Sequence, residues 1–326
     1  MNREWSFAAR LMMFLFAFTW TRGLTAQEFS LALVHAGTDQ LKSGQEDAAL
    51  QTFTRAINIG DDIMSVAFAY FDRGRIYEGR GRLELALLNY TASIELDPEY
   101  GNAFGARGRV YLAMGKTALA LADYDEYVKV FPDAYGFRQR GLALALTGDP
   151  EKALTDLNKS LGLGKEAASY RVRGFVLLKL GRYEESVSDS TQALSLSDTH
   201  EVELYSNRGL AYKGLGRFDQ ALADLDKAIA RGPYDPESLD ARGETFAAMG
   251  KYDKALADLN RAVDLDSKRA HTYVTRSRVY KAQRRFDQAL SDVNKALELA
   301  PEDQDALKER DSVTNLTKEK GSGPGR

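Results

Sequence analysis

The sequence predicts an all-α fold, in which about eight helix–turn–helix units stack in series and a last helix closes the stack. Three observations carry that prediction. The first is a period: Arg73-Gly74, Arg107-Gly108, Arg140-Gly141, Arg173-Gly174, Arg208-Gly209 and Arg242-Gly243 recur every 33 to 35 residues, and Arg276-Ser277 continues the series. The second is another glycine seven residues after each of these, at Gly81, Gly115, Gly148, Gly181, Gly216 and Gly250. In the better copies an aromatic and then Ala-Leu follow, as in Phe218-Asp219-Gln220-Ala221-Leu222. The third is composition. Hydrophobic residues make up 44% of the chain, enough for a sizeable core, and only seven prolines interrupt a sequence rich in helix formers. The 27 glycines, odd for helices, are absorbed by the repeat.

In chain order the first element is an address. Arg3 and Arg10 precede a short apolar run over 11–20, and Leu24-Thr25-Ala26-Gln27 follows, which reads as a secretory signal peptide over 1–26 cleaved after Ala26. The run is too short for the ~20 apolar residues of a bilayer span. An uncleaved anchor is the alternative, and only then would the protein meet a membrane. Either way the repeats lie beyond the membrane, in the periplasm or secreted.

The repeat units fall at 30–63, 67–100, 101–133, 134–166, 167–200, 202–235, 236–269 and 270–303. In each, large apolar residues at helical spacing mark two helices, as Tyr205, Tyr212 and their neighbours do in one and Leu222, Leu225 and Ile229 in the next. Folding the unit about its turn glycine sets the first-helix glycine level with a small residue, pairing Gly209 with Ala221, Gly243 with Ala255 and Gly108 with Ala120. A mid-helix glycine costs about 1 kcal/mol, which closer packing offsets. Asp149-Pro150-Glu151 is a capped helix start. Residues 304–318 have helical periodicity and form a capping helix, and 319–326 are read as a flexible tail.

This pattern resembles the tetratricopeptide repeat over about 274 of the 326 residues. The best copies are Tyr205, Gly209, Tyr212, Ala221 and Pro233, and Tyr70, Gly74, Tyr77, Ala86 and Pro98. Unit 30–63 departs, with Gln40 and Asp61 at the Tyr and Pro places, and unit 270–303 has Arg284 at the turn glycine. The resemblance implies a right-handed α-solenoid whose concave groove holds a protein or peptide partner.

An Arg before the glycine has an Asp sixteen residues later in six units: Arg107/Asp123, Arg140/Asp156, Arg173/Asp189, Arg208/Asp224, Arg242/Asp258 and Arg276/Asp292. The two places share one height in the hairpin, and the Asp also lies level with the next unit's Arg. A structural ladder of alternating charge is therefore expected.

The inventory argues against most chemistry. With no Cys there is no disulfide, thiolate zinc site or cysteine nucleophile. A net charge of −3 gives no basic footprint for nucleic acid. His35, His200 and His271 are far apart in sequence and are read as surface or packing residues rather than metal ligands. Gly162-Leu163-Gly164-Lys165 lacks the rest of a phosphate loop and is read as a helix end. No catalytic, cofactor or metal site is expected.

The function expected is thus a non-enzymatic scaffold or adaptor in the cell envelope. The alternative is a hydrolase of envelope polymers working through carboxylates on the groove face. The best-known clamp of the family grips a C-terminal carboxylate with Lys and Asn; here the matching places hold Phe71, Gly105, Arg138, Arg171, Ser206 and Asp240, which do not make one. The groove-facing places of the family carry Phe71, Arg75, Arg109, Tyr135, Arg138, Arg171, Phe175 and Lys179 in the first half, and Glu203, Glu237, Asp240 and Glu244 in the second. A partner with an acidic or extended segment is therefore expected across the first half.

Overall fold

All the hairpins but the last turn on a glycine in the left-handed region, where a side chain would be strained. Gly81, Gly115, Gly181, Gly216 and Gly250 have φ of 68 to 72°, and at the same place in the last repeat Arg284 adopts φ 58°. The computed structural model describes residues 27–196 and 199–321, and these hold seventeen helices and no strand. The chain divides into two compact units at the Leu163/Gly164 junction.

The first unit holds α1 (Gln27–Lys42), α2 (Glu46–Ile59), α3 (Ile63–Gly79), α4 (Leu83–Leu96), α5 (Gly101–Ala113), α6 (Thr117–Val130), α7 (Ala134–Leu146) and α8 (Pro150–Leu163). The second holds α9 (Ala167–Lys179), α10 (Tyr183–Ser195), α11 (Glu201–Gly214), α12 (Phe218–Arg231), α13 (Pro236–Ala248), α14 (Tyr252–Leu265), α15 (Ala270–Ala282), α16 (Phe286–Leu299) and α17 (Gln304–Gly321). Aspartates start several of them. Asp62, Asp133 and Asp235 accept hydrogen bonds from the backbone N–H of Ser65, Gly136 and Ser238 at 2.7–2.8 Å, and Asp149 accepts from Lys152 at 3.3 Å.

The cores are shared between neighbouring repeats. Ala86 and Tyr90 of one hairpin pack with Ala106 and Val110 of the next, and Ala255 and Leu259 pack with Val279. At the C-terminus Ala306 of α17 joins Tyr273, Val274, Val293 and Ala296, so α17 covers that end of the second unit. Within each unit successive first helices also touch, α3 against α5 and α5 against α7, and likewise α11 against α13 and α13 against α15. This layer of first helices carries the site described below.

The six Arg–Asp pairs form as bidentate bridges, with both bonds at 2.6–3.0 Å and the aspartates at most 7% exposed. The link to the preceding repeat differs from the expected one. Arg140 and Arg242 reach Asp125 and Asp226, and Arg107, Arg208 and Arg276 reach Thr91, Thr191 and Asn260, at 2.7–3.2 Å. These residues lie two places beyond the one that bridges within the hairpin.

The first-helix glycine meets more than the small residue expected. A Cβ on Gly209 would lie 2.8 Å from Leu225 Cγ, one on Gly243 2.8 Å from Leu259 Cγ, and one on Gly74 2.7 Å from the Tyr90 ring. The glycine thus faces the backbone of the alanine twelve places on, whose carbonyl oxygen would lie 3.2 Å from a Gly209 Cβ and 3.3 Å from a Gly243 Cβ, and also seats the large residue sixteen places on.

Some boundaries move as well. α1 begins at Gln27 and α3 at Ile63, earlier than units starting at 30 and 67 imply, since Asp62 caps α3. α17 runs to Gly321, three residues into the segment read as a tail, through the good helix formers Glu319 and Lys320. Residues 1–26, read as a signal peptide, and 322–326, the rest of the segment read as a tail, lie outside the described residues. Among the described residues no helix is long and apolar enough to cross a membrane.

Candidate partner-binding site

In the first unit the groove starts from two glycines. Gly105 on α5 and Gly136 on α7 each lie where a Cβ would sit 2.6 and 2.8 Å from the Tyr127 ring, so the ring of this second-helix residue wedges between two first helices. Its hydroxyl donates to Asp133 at 3.2 Å, and the Tyr135 ring stands edge-on to it at 5.6 Å. Toward the N-terminus the Phe71 ring meets Tyr100 edge-on at 5.0 Å. Between these aromatics lies a groove of about 260 Å³ lined by Phe71, Arg75, Asn102, Arg109, Tyr127 and Tyr135.

Its charges are less one-sided than the sequence suggests. Arg109 grips Glu78 of the preceding repeat with bonds of 2.6 and 2.9 Å and donates to the Tyr135 hydroxyl at 3.3 Å. Tyr90 donates to the same carboxylate at 2.6 Å. Burial pushes the Glu78 carboxyl up, but these hydrogen bonds outweigh it and hold it below its ordinary value. Arg75 bonds Asp72 at 3.1 Å, lies 5.9 Å from the Phe71 ring centre, and keeps 53% of its side chain exposed. Arg138 stands 5.5 Å from the Tyr135 ring centre.

The other three expected residues belong to the second unit. Arg171 is bound to Glu203 at 2.9 Å, whereas Phe175 and Lys179 enter a second groove, of about 450 Å³, with Leu210, Glu237, Asp240 and His271. The acids expected to dominate there are matched by cations. Arg269 bonds Glu237 at 2.9 Å, and Lys213 bonds Glu244. His271 Nε2 lies 2.8 Å from Glu244 Oε1 and 3.8 Å from Asp240 Oδ2. Burial pushes the Asp240 carboxyl up to about 6. At Glu244 burial acts the same way, but the bonds from His271 and Lys213 bring it to about 2. The bond to Glu244 in turn raises His271.

The eight expected residues therefore divide between two grooves. Phe71, Arg75, Arg109 and Tyr135 line the first, with Arg138 beside Tyr135; Phe175 and Lys179 line the second; Arg171 is held by Glu203. Asn102 and Tyr127 lining the first groove, Glu78 bound to its Arg109, His271 lining the second and Lys213 bound to its Glu244 were not anticipated. A scan for opposite charges 31 or 32 residues apart finds Glu78/Arg109, Arg171/Glu203, Lys213/Glu244 and Glu237/Arg269 together, since that spacing joins first helices of adjacent repeats.

Known proteins were compared with this chain and its fold. No curated protein sequence matches it. Among solved structures, the APC/C hetero-tetramer Cut9–Hcn1 aligns at TM-score 0.62 and 15% identity over 82% of this chain and 55% of that one. This chain thus spans about half the length of that structure. A thermophilic tetratricopeptide repeat protein of Thermus thermophilus aligns at TM-score 0.52 and 25% identity, over 56% of this chain and 100% of that one. The pilF structure of Pseudomonas aeruginosa aligns at 0.50 and 18%, over 65% and 97%. Family profiles described as tetratricopeptide repeat match residues 69–100, 106–168, 165–233, 206–270 and 270–303. With repeat profiles over most of its length and a fold of stacked helical hairpins, the chain belongs to the tetratricopeptide repeat family.

Proposed function

We propose that the chain is an exported, non-enzymatic scaffold of the cell envelope, and that the first-unit groove holds an extended, acidic segment of a partner protein. Membership of the family supports an interaction scaffold in general. The observation that carries the finer reading is the aromatic-walled groove between Phe71 and Tyr135. Asn102 is an exposed residue of its lining, and Arg75 keeps half its side chain in solvent beside the rings. Aromatic and arginine anchors beside an exposed polar residue suit a peptide whose backbone bonds to Asn102 and whose acids meet Arg75 and Arg138. Arg109 is committed to Glu78, so its part is to hold Tyr135 and the wall.

Export rests on Arg3, Arg10 and the apolar run over 11–20. N-terminal sequencing of envelope material then returns Gln27; a chain starting at Met1 in the cytosol contradicts export. For the groove, a tagged chain captures its partner from the envelope fraction. Arg75→Glu combined with Arg138→Glu lowers that yield at least about tenfold, as loss of an interface anchor does. Lys152→Glu, on the exposed start of α8, leaves it unchanged. Equal capture by both variants refutes the acidic-segment reading.

A further inference from the structure

Asp240 and Glu244 lie one turn apart on the same face of α13, and His271 comes from the second position of α15 in the next repeat. One ligand atom from each falls within 4.8 Å of the other two. Asp240 is only 3% exposed; its Oδ2 accepts from Thr272 Oγ1 at 3.1 Å, and its Oδ1 is buried with no hydrogen-bond partner. A buried carboxylate oxygen in that state lacks a cation or donor. At Glu244, Lys213 donates to Oε2, and Oε1 faces His271 Nε2 at 2.8 Å with Thr275 Oγ1 at 3.5 Å.

We propose that Asp240, Glu244 and His271 bind a first-row transition-metal dication, with zinc the best match to the donors. The set joins one imidazole nitrogen to two carboxylates, which suits zinc and its neighbours better than calcium or magnesium, whose ligands are oxygens alone. Bonds of about 2.1 Å place ligand atoms ~3.4 Å apart on a tetrahedral ion, so the three close on it by side-chain movements of about an ångström. Thr272 on Asp240 Oδ2 and Lys213 on Glu244 Oε2 fix both carboxylates, as outer partners of metal ligands do. Because all three residues line the second groove, the fourth position faces that groove. The ion takes the place of the proton that otherwise lets His271 donate to Glu244.

The test is titration of the purified full chain with zinc and cobalt by calorimetry, with bound metal counted by elemental analysis. The expected result is one ion per chain, and affinity at least about tenfold weaker in Asp240→Asn and in His271→Gln. Glu237→Gln, an exposed acid of the same groove, binds as the unmodified chain does. Circular dichroism of the metal-free variants confirms their folding. In the unmodified chain, paramagnetic cobalt displaces the ring resonances of His271 and not those of His35 or His200. An unmodified chain that retains neither metal overturns the proposal. So do affinities that Asp240→Asn and His271→Gln leave within twofold, or a cobalt effect centred on another histidine.

Discussion

Replacing Gly209 by Ala tests whether the first-helix glycines are there to let neighbouring helices approach. Alanine is the better helix former by about 1 kcal/mol, so in an open helix the change stabilises. Here the new Cβ would lie 2.8 Å from Leu225 Cγ and 3.2 Å from the Ala221 carbonyl oxygen. Leu225 is fully buried and the carbonyl is backbone, so neither yields without moving α12. Overpacking of this kind costs about 1–3 kcal/mol, and the net effect is destabilisation by up to ~2 kcal/mol. Gly174 is the matched control, because the residue sixteen places on is Ser190 and the nearest atoms to a new Cβ are at 3.4 Å, an ordinary contact. Gly174→Ala thus keeps the propensity gain and stabilises by ~0.5–1 kcal/mol. Repeat arrays need not unfold in one step, so hydrogen exchange is read separately over α9–α10 and α11–α12, beside guanidinium unfolding curves. Exchange slows in the first hairpin for Gly174→Ala and quickens in the second for Gly209→Ala. Shifts in the same direction refute the packing argument.

Three further outcomes follow from the same contacts. Arg284→Gly relieves a left-handed arginine at φ 58° and raises stability by about 1 kcal/mol, seen as a higher melting temperature; no gain means the turn is not strained. Asp224→Ala leaves Arg208, 14% exposed, without its carboxylate and costs about 3–5 kcal/mol in denaturant unfolding, whereas Glu185→Ala in the exposed pair with Arg182 costs under ~1; equal costs refute the structural role of the ladder. The Glu78 carboxyl has a depressed folded pKa, so its contribution is full above its ordinary value of 4.5 and is lost as pH falls through the folded value. Glu78→Gln therefore loses less melting temperature than the unmodified chain between pH 6 and 3, and parallel curves contradict this.

The period was legible because two features that helices rarely tolerate recur in fixed register: a glycine in mid-helix and a glycine at the turn. The Arg–Asp bridges were legible for the same reason, sixteen residues being one hairpin's return. The small residue facing the mid-helix glycine was legible, but the large one that also meets it was not: Leu225 lies one turn beyond Ala221 on the same helix face and its side chain leans back toward it. The inter-repeat link was hidden because Thr, Asp and Asn share that place, as in Thr191, Asp226 and Asn260. In the grooves the aromatics were readable as first-helix residues, but their charge balance was not. Arg109 looked available until Glu78, 31 residues earlier, was brought against it. His271 looked isolated for the same reason, its neighbours Asp240 and Glu244 lying on another repeat.

The claim that the first-unit groove holds the partner is tested most directly by site-specific photocrosslinking in the native envelope. A photoreactive residue at Asn102, an exposed residue of the groove lining, is compared with one at Lys152, exposed on the start of α8. The account predicts one discrete adduct at Asn102, weakened by Arg75→Glu with Arg138→Glu, and none at Lys152. An adduct of the same partner at Lys152 with none at Asn102 would contradict it.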